Sequence, residues 1–538
     1  MTNALRTAAL LTLLALPGCM RASATIDGTP LGGSAAVAPT LLVFITVDQL
    51  RGDMLARYAS DMRAGYGRLM REGAWFVNAF QDHSITETAP GHASTMSGRF
   101  PRSTGIASNS AGVVDPKYQL LAAFPNEIGA SPDRFQGTTI FDWLHARDGR
   151  TRALSVSAKD RGAILTVGNA KQEVYWYSNL GTFTTSTYYA DTMPAWVHEF
   201  NARRIPYSFA GGAWRLSRDT GSYAMPDAVA YESRGQNFVF PHAFPADTIR
   251  AANMLRATPY MDSVTALFAL AGVRQMGLGR GPHTDILAVS FSATDYVGHG
   301  YGPDSREAYE NQLRLDETIG WFLDSLSASR GASSMLVVLT ADHGVQPIPE
   351  LARERGEATA NQGLRVSLRT IVSGVRGRLF AAGVDSAALY YDGEHVAVDR
   401  ATLRRARLDA DSVLSDFAAQ ARAVPGIARV DRPRDLRRAD PALDPIARRW
   451  AHQLPEDSPM DLVITLTRYS LWSSIPASHG SPYDHDAHVP VIFYGPSVRA
   501  GRYTQFARVV DIAPTLAAIL GVRPLERLDG VVLTQAIR

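Results

Sequence analysis

Apolar residues along this chain gather in short unbroken runs. The first is Leu41-Leu42-Val43-Phe44-Ile45-Thr46-Val47, and similar runs lie at Arg152–Val156, Asp285–Ser292, Met335–Ala341, Asp461–Thr465 and Val489–Tyr494. A continuous run of about 4–8 apolar residues between turn-formers suits a strand covered on both faces. Helical spacing appears between the runs, at Arg306–Leu326 and Val510–Leu520. Strands alternating with helices predict an α/β fold, a mostly parallel central sheet with helices on both faces. Two stretches break the rhythm. Residues 170–260, rich in aromatics, Ser, Thr and Gly (Tyr175-Trp176-Tyr177, then Gly181-Thr182-Phe183), read as an elaborated loop insert over one end of the sheet. Residues 350–445, rich in Arg and Asp, read as a small α+β insert with a strand at Ala388–Tyr391 and a helix at Ala401–Ala421.

The N-terminus has its own pattern. Arg6 precedes an apolar run from Thr7 to Leu16, followed by Leu16-Pro17-Gly18-Cys19. This is the layout of a secretory signal, too short to span a bilayer. Small residues before a cysteine resemble a lipoprotein signal, which would make Cys19 a lipid anchor. Cleavage after Ala22-Ser23-Ala24 would instead discard it. The expected organisation is a signal over 1–24, a tether over 25–38 and one catalytic domain over 39–538 carrying both inserts. No later stretch reaches 18 continuous apolar residues, so the rest is expected to be soluble, periplasmic or anchored at the outer membrane.

Composition narrows the chemistry. With 54 basic and 52 acidic residues among 538, the net charge of +2 predicts no nucleic-acid-binding surface. The single cysteine excludes an intrachain disulfide, a dithiol redox pair and a cysteine metal cluster. Any metal must therefore use His and carboxylates. Only three of the basic residues are lysines (Lys117, Lys159 and Lys171), which makes each worth locating.

Ionisable residues recur at strand ends. Asp48 follows the first run, Thr294-Asp295-Tyr296-Val297-Gly298-His299 the run at 285, and Asp342-His343-Gly344 the run at 335. Lys159-Asp160-Arg161 follows the run at 152, and His479, His485 and His488 precede the run at 489. Open α/β sheets bind ligands beyond the carboxyl ends of their strands. One such Asp is normally a turn or cap residue, but four placements, two paired with His, point to a metal site. Asp and His without Cys suit zinc. Asp48, Asp295, His299, Asp342, His343 and His479 divide into two sets of three, an arrangement that leaves each metal an open position. Two such ions about 4 Å apart can clamp the attacking and leaving oxygens of a phosphoryl transfer. The nucleophile candidate is Thr88, in Thr86-Glu87-Thr88-Ala89-Pro90-Gly91-His92, where Pro90 suits the first turn of a helix. The segment alone fits a plain helix cap equally well.

These residues, in this order, resemble the alkaline phosphatase superfamily across nearly the whole mature chain. Nucleotide pyrophosphatase/phosphodiesterases share the six-ligand pattern and a Thr nucleophile. The phosphate-irrepressible (PafA-type) alkaline phosphatases add an Asn and a Lys-x-Arg pair, matched here by Ser108-Asn109-Ser110 and Lys159-Asp160-Arg161. The resemblance implies one zinc on Asp295, His299 and His479 and a second on Asp48, Asp342 and His343. Thr88 would be the nucleophile between them, with Asn109, Lys159 and Arg161 on the phosphate oxygens. His479 is preferred over His485 and His488 because His-Gly-Ser carries the match. Sulfatases need a Cys or Ser where Thr88 stands, and cofactor-independent phosphoglycerate mutases use a Ser and lack a leader, so neither fits.

A monoester dianion carries one more anionic oxygen than a diester, and Lys159 with Arg161 could reach such oxygens. The expectation is an exported alkaline phosphatase acting on small-molecule phosphate monoesters through a phosphothreonine, releasing inorganic phosphate. The alternatives are a phosphodiesterase/nucleotide pyrophosphatase and a binding protein without turnover. A monomer is expected.

Overall fold

The computed structural model describes residues 38–538. The expected leader, Cys19 and nearly all of the tether lie outside the described residues. The strands, in chain order, begin with β1 (Leu41–Val47), β2 (Ala74–Phe80), β3 (Ala153–Ser157), β4 (Glu173–Tyr177) and β5 (Phe183–Thr184). There follow β6 (Ala213–Trp214), β7 (His242–Ala243), β8 (Asp285–Phe291), β9 (Met335–Thr340), β10 (Leu389–Tyr391) and β11 (His395–Val398). The last are β12 (Ile427–Asp431), β13 (Leu462–Leu466), β14 (His488–Tyr494), β15 (Gly501–Tyr503) and β16 (Ala507–Arg508).

The main sheet runs β15-β2-β14-β9-β1-β8-β3-β4-β5, with β16 also on β2. Its centre, β9-β1-β8-β3-β4, is parallel throughout. Every residue of β1, β8 and β9 is buried, so both faces are covered, as their unbroken apolar runs require. The α/β, mostly parallel architecture expected from the runs is the architecture observed. β14 is antiparallel to both neighbours, β9 and β2. It therefore starts at the edge where the central strands end, and the chain before it arrives beside their carboxyl termini.

Some elements differ from the sequence reading. The run at 461–465 is β13, which belongs to a second sheet ordered β10-β11-β13-β12. A buried run has no feature that names its sheet; β13 is covered by a separate core that includes Val396, Leu414, Phe417 and Ile464. The helix expected over Ala401–Ala421 is two, Arg400–Arg405 and Ala410–Arg422. Arg407 between them is left-handed (φ 58°), and Asp409 caps the second by accepting from the N–H groups of Asp411 and Ser412. β4 and β5 extend the main sheet from the aromatic stretch after residue 170. Among the described residues, no helix is long and apolar enough to cross a membrane.

Candidate metal centre and nucleophile

Four adjacent parallel strands deliver the site. Asp48 follows β1 directly, Asp342 lies two residues beyond β9, and Lys159 two beyond β3. Asp295 and His299 stand one turn apart on the helix Ala293–Tyr301 that follows β8. His479 comes from the segment leading into β14. Among the described residues, two groups could hold a metal: Asp295, His299 and His479, and Asp48, Asp342 and His343. Within each group the ligand atoms lie within 4.8 Å of one another. His485 and His488 fall outside both. His485 Nε2 faces Ser481 Oγ at 3.2 Å, and His488 Nε2 donates to the Val77 carbonyl at 2.8 Å.

The three histidines share one device. His299 Nδ1 donates to the Ala477 carbonyl (2.9 Å), His343 Nδ1 to that of Gly344 (2.9 Å) and His479 Nδ1 to that of Thr86 (2.8 Å). Each bond places the proton on Nδ1 and leaves the Nε2 lone pair available. Those Nε2 atoms lie among the carboxylates, 3.3 Å and 3.4 Å from Asp295 Oδ1 for His299 and His479, and 3.5 Å from Asp48 Oδ1 for His343. The rings of His343 and His479 stack at 3.6 Å, joining the two groups.

The electrostatics call for added positive charge. Asp48, Asp295 and Asp342 are buried, and the one ammonium among them is Lys159 Nζ, 2.8 Å from Asp48 Oδ2 and 2.5 Å from Asp295 Oδ2. Three buried carboxyl groups thus face a single ammonium. Asp48 Oδ1 has no hydrogen-bond partner, and Asp48 Oδ2 and Asp342 Oδ2 have only the ionic contacts of Lys159 and His92, a costly arrangement unless an ion meets them. Burial, then the charges of Asp342 and Asp295, push the Asp48 carboxyl well above its ordinary range despite Lys159. Burial opposes ionisation of Asp295 too, but His299 and Lys159 hold its carboxyl well below that range. Burial drives His343 down to about 3, which keeps its ring neutral. Imidazole Nε2 atoms turned toward the carboxyls, carboxylate oxygens short of partners and carboxyl groups outnumbering ammonium groups fit divalent cations at both groups.

Thr88 stands beside His343 of the second group and Lys159, whose ammonium touches both groups. It opens the helix Thr88–Ser97, with Glu87 as the capping residue. Its Oγ1 lies 3.4 Å from His343 Nε2 and 3.4 Å from Lys159 Nζ. Gly91 lets this helix press against the sheet, because a Cβ there would sit 2.2 Å from the Asp342 carbonyl. Asn109 latches the first turn: its Oδ1 accepts from Ala89 N–H at 2.9 Å, and its own N–H donates to Glu87 Oε2 at 2.6 Å. Arg161 contacts Asp160 at 3.5 Å and, with Lys159, lines a cavity of about 680 Å³.

Two supporting residues escaped the sequence reading. Gln49, left-handed at φ 69°, donates from Nε2 to Asp295 Oδ1 and from its backbone N–H to Asp342 Oδ1. His92, fully buried, lies 3.1 Å from Asp342 Oδ2 and bonds the Thr88 carbonyl and Ser290 Oγ. Gln49 is marked in the sequence only by its place beside Asp48, whereas His92 closes the Thr88–His92 segment, though the segment assigns it no role there.

Comparison with known proteins places this site in a family. The family of type I phosphodiesterases / nucleotide pyrophosphatases matches residues 42–429. The chain is 29% identical over 526 residues to alkaline phosphatase PhoV of Synechococcus elongatus, covering 93% of each chain. It is 28% identical over 531 residues to alkaline phosphatase PafA of Elizabethkingia meningoseptica, covering 94% of this chain and 95% of that one. The crystal structure of wild-type alkaline phosphatase PafA superposes with a TM-score of 0.85 at 27% identity, covering 94% of this chain and all of that one. A match over most of the chain makes this protein a member of the type I phosphodiesterase / nucleotide pyrophosphatase family, within the alkaline phosphatase superfamily.

Proposed function

We propose that this chain is an exported alkaline phosphatase that hydrolyses small-molecule phosphate monoesters at a two-zinc site, through a phosphothreonine at Thr88. The observation that carries the reading is the placement of Thr88 Oγ1 within 3.4 Å of both His343 Nε2, from one ligand group, and Lys159 Nζ, which contacts an aspartate of each. The His and Asp donors of both groups suit zinc. Asp295, His299 and His479 would hold one ion and Asp48, Asp342 and His343 the other. Bound there, zinc supplies Lewis acidity that favours an ionised oxygen nucleophile and neutralises charge on the leaving oxygen.

The residues divide the remaining work. Lys159 and Arg161, with Asn109 Nδ2, bind the non-bridging phosphate oxygens and fix phosphorus in line with Thr88 Oγ1. A Thr88 oxygen–phosphorus bond forms as the bond to the leaving alcohol breaks, and the alcohol departs with a proton. Water then attacks phosphothreonine, releasing inorganic phosphate and restoring the hydroxyl. Two in-line displacements retain configuration at phosphorus.

The runner-up is a diesterase, which the description of the family favours. Two cationic side chains suit a dianionic monoester better than a diester, whose second ester group wants an apolar wall. Rates with nitrophenyl phosphate and bis-nitrophenyl phosphate decide between them. A clear monoester preference is expected, and a diester preference would overturn the reading.

A further inference from the structure

The cavity beside Lys159 and Arg161 is far larger than a phosphoryl group needs. At about 680 Å³ it falls within the range of pockets that enclose whole small molecules. Its floor, at Lys159, adjoins the nucleophile, because Lys159 Nζ lies 3.4 Å from Thr88 Oγ1. Tyr296 lines the floor, its ring 5.2 Å from the same ammonium. Leu120, Phe124 and Ile128 line it from one segment and Trp176–Asn179 from another, with the polar side chains of Asn126, Asp160 and Arg256 also in the lining. Phe124 and Ile128 are 37% and 62% exposed, large apolar side chains held in water at the rim of a cavity. They are also held firmly. Glu127 accepts from the Phe124 N–H (2.9 Å) through one carboxylate oxygen and from the Asn179 N–H (3.1 Å) through the other, clamping one segment to the other. That clamp keeps Glu127 engaged with backbone, while the other carboxylate of the lining, Asp160, lies against Arg161.

We propose that this chamber is a leaving-group subsite, selecting phosphate monoesters whose alcohol carries a bulky aromatic or apolar group. The inference rests on the monoesterase reading above. Phosphate held at Lys159 and Arg161 points its ester oxygen's substituent into the chamber, where Tyr296, Phe124 and Ile128 take it out of water. A small polar alcohol such as glycerol leaves those surfaces wet and gains nothing from them.

The test compares 2-naphthylmethyl phosphate with glycerol phosphate, both alkyl esters of similar leaving-group chemistry, in the parent and in Phe124→Ala/Ile128→Ala. The replaced side chains are exposed, so the fold and the nucleophile are left alone. The expected result is a fall of about tenfold in kcat/KM for the naphthylmethyl ester, with glycerol phosphate unchanged. An unchanged ratio, or an equal fall for both esters, would overturn the subsite. Hydrolysis of neither ester by the metal-loaded parent would instead overturn the phosphatase reading, and the subsite with it.

Discussion

Gln49 donates a hydrogen bond from Nε2 to Asp295 Oδ1 at 2.8 Å, and its own backbone N–H reaches Asp342 Oδ1 at 3.1 Å. One residue thus touches a carboxylate of each metal-ligand group and sets their separation. It does so from a left-handed conformation that a non-glycine residue adopts only where its surroundings enforce it. Outer contacts of this kind typically account for about 10–100-fold in metal affinity. Gln49→Ala should lower metal retention by about that factor, read as metal content after titration with a chelator, with secondary structure unchanged.

Gly298 supplies the room for Gln49. A Cβ at 298 would lie 1.7 Å from Gln49 Oε1. Gly298→Ala should therefore reproduce the metal loss of Gln49→Ala, and the double variant should be no worse than either alone. Additive losses would mean that the two residues act independently.

Thr88→Ala should abolish acid-stable labelling by a radioactive phosphate ester, while Thr88→Ser keeps the label. Persistent labelling of the alanine variant would move the nucleophile elsewhere.

Arg161 contacts none of the metal-ligand candidates, so its removal reports on phosphate recognition alone. Arg161→Ala should cut monoester kcat/KM by about tenfold or more and diester kcat/KM by less, as expected for loss of one charge-assisted hydrogen bond. Equal losses would sink the charge argument. Metal content, measured alongside, should stay at the parental value.

Asp262 predicts a pH dependence of stability. It is fully buried, its Oδ1 accepts from the Ala293 N–H and its Oδ2 has no partner. Burial pushes its carboxyl up to about 7 from an ordinary 3.8. Between those values the folded state keeps a proton that the unfolded chain has lost, so this group's stabilisation is full below 3.8 and falls away as pH rises to about 7. Asp262→Asn keeps the acceptor and removes the charge. It should raise the thermal midpoint at pH 8.5 and change it little at pH 4; equal effects at both would refute the ionisation argument.

The sequence made legible what hydrophobic runs and residue type encode. β1, β8 and β9 are buried on both faces and read as unbroken apolar segments, and the Asp and His residues just past them lie at one sheet edge. Legibility ended where roles depend on tertiary partners. β2 opens with only a four-residue apolar run, Ala74–Val77, and pairs with β14 from more than 400 residues away. The run at 461–465 carried no mark of the separate core that buries it. Gln49 and His92 are ordinary polar residues until the chain folds around them. His479 could be preferred to its neighbours by motif alone, whereas the reason lies in space: Thr86 offers its carbonyl to that imidazole, and Ser481 and Val77 occupy the other two.

The position of β14 governs when the molecule can become whole. This strand comes from the last tenth of the chain yet sits inside the main sheet, between β2 and β9. Until it arrives, β2 cannot join the sheet, and His479, which precedes it, cannot meet Thr86. Closing such distant contacts is slow, because loop entropy must be overcome before they stabilise anything. A chain emerging from its N-terminus would hold Asp48, Thr88 and Lys159 long before it could complete the site. Activity would then be the last property to appear, and a C-terminal truncation before residue 488 should yield an inactive, aggregation-prone chain with an open sheet edge rather than a weakened enzyme.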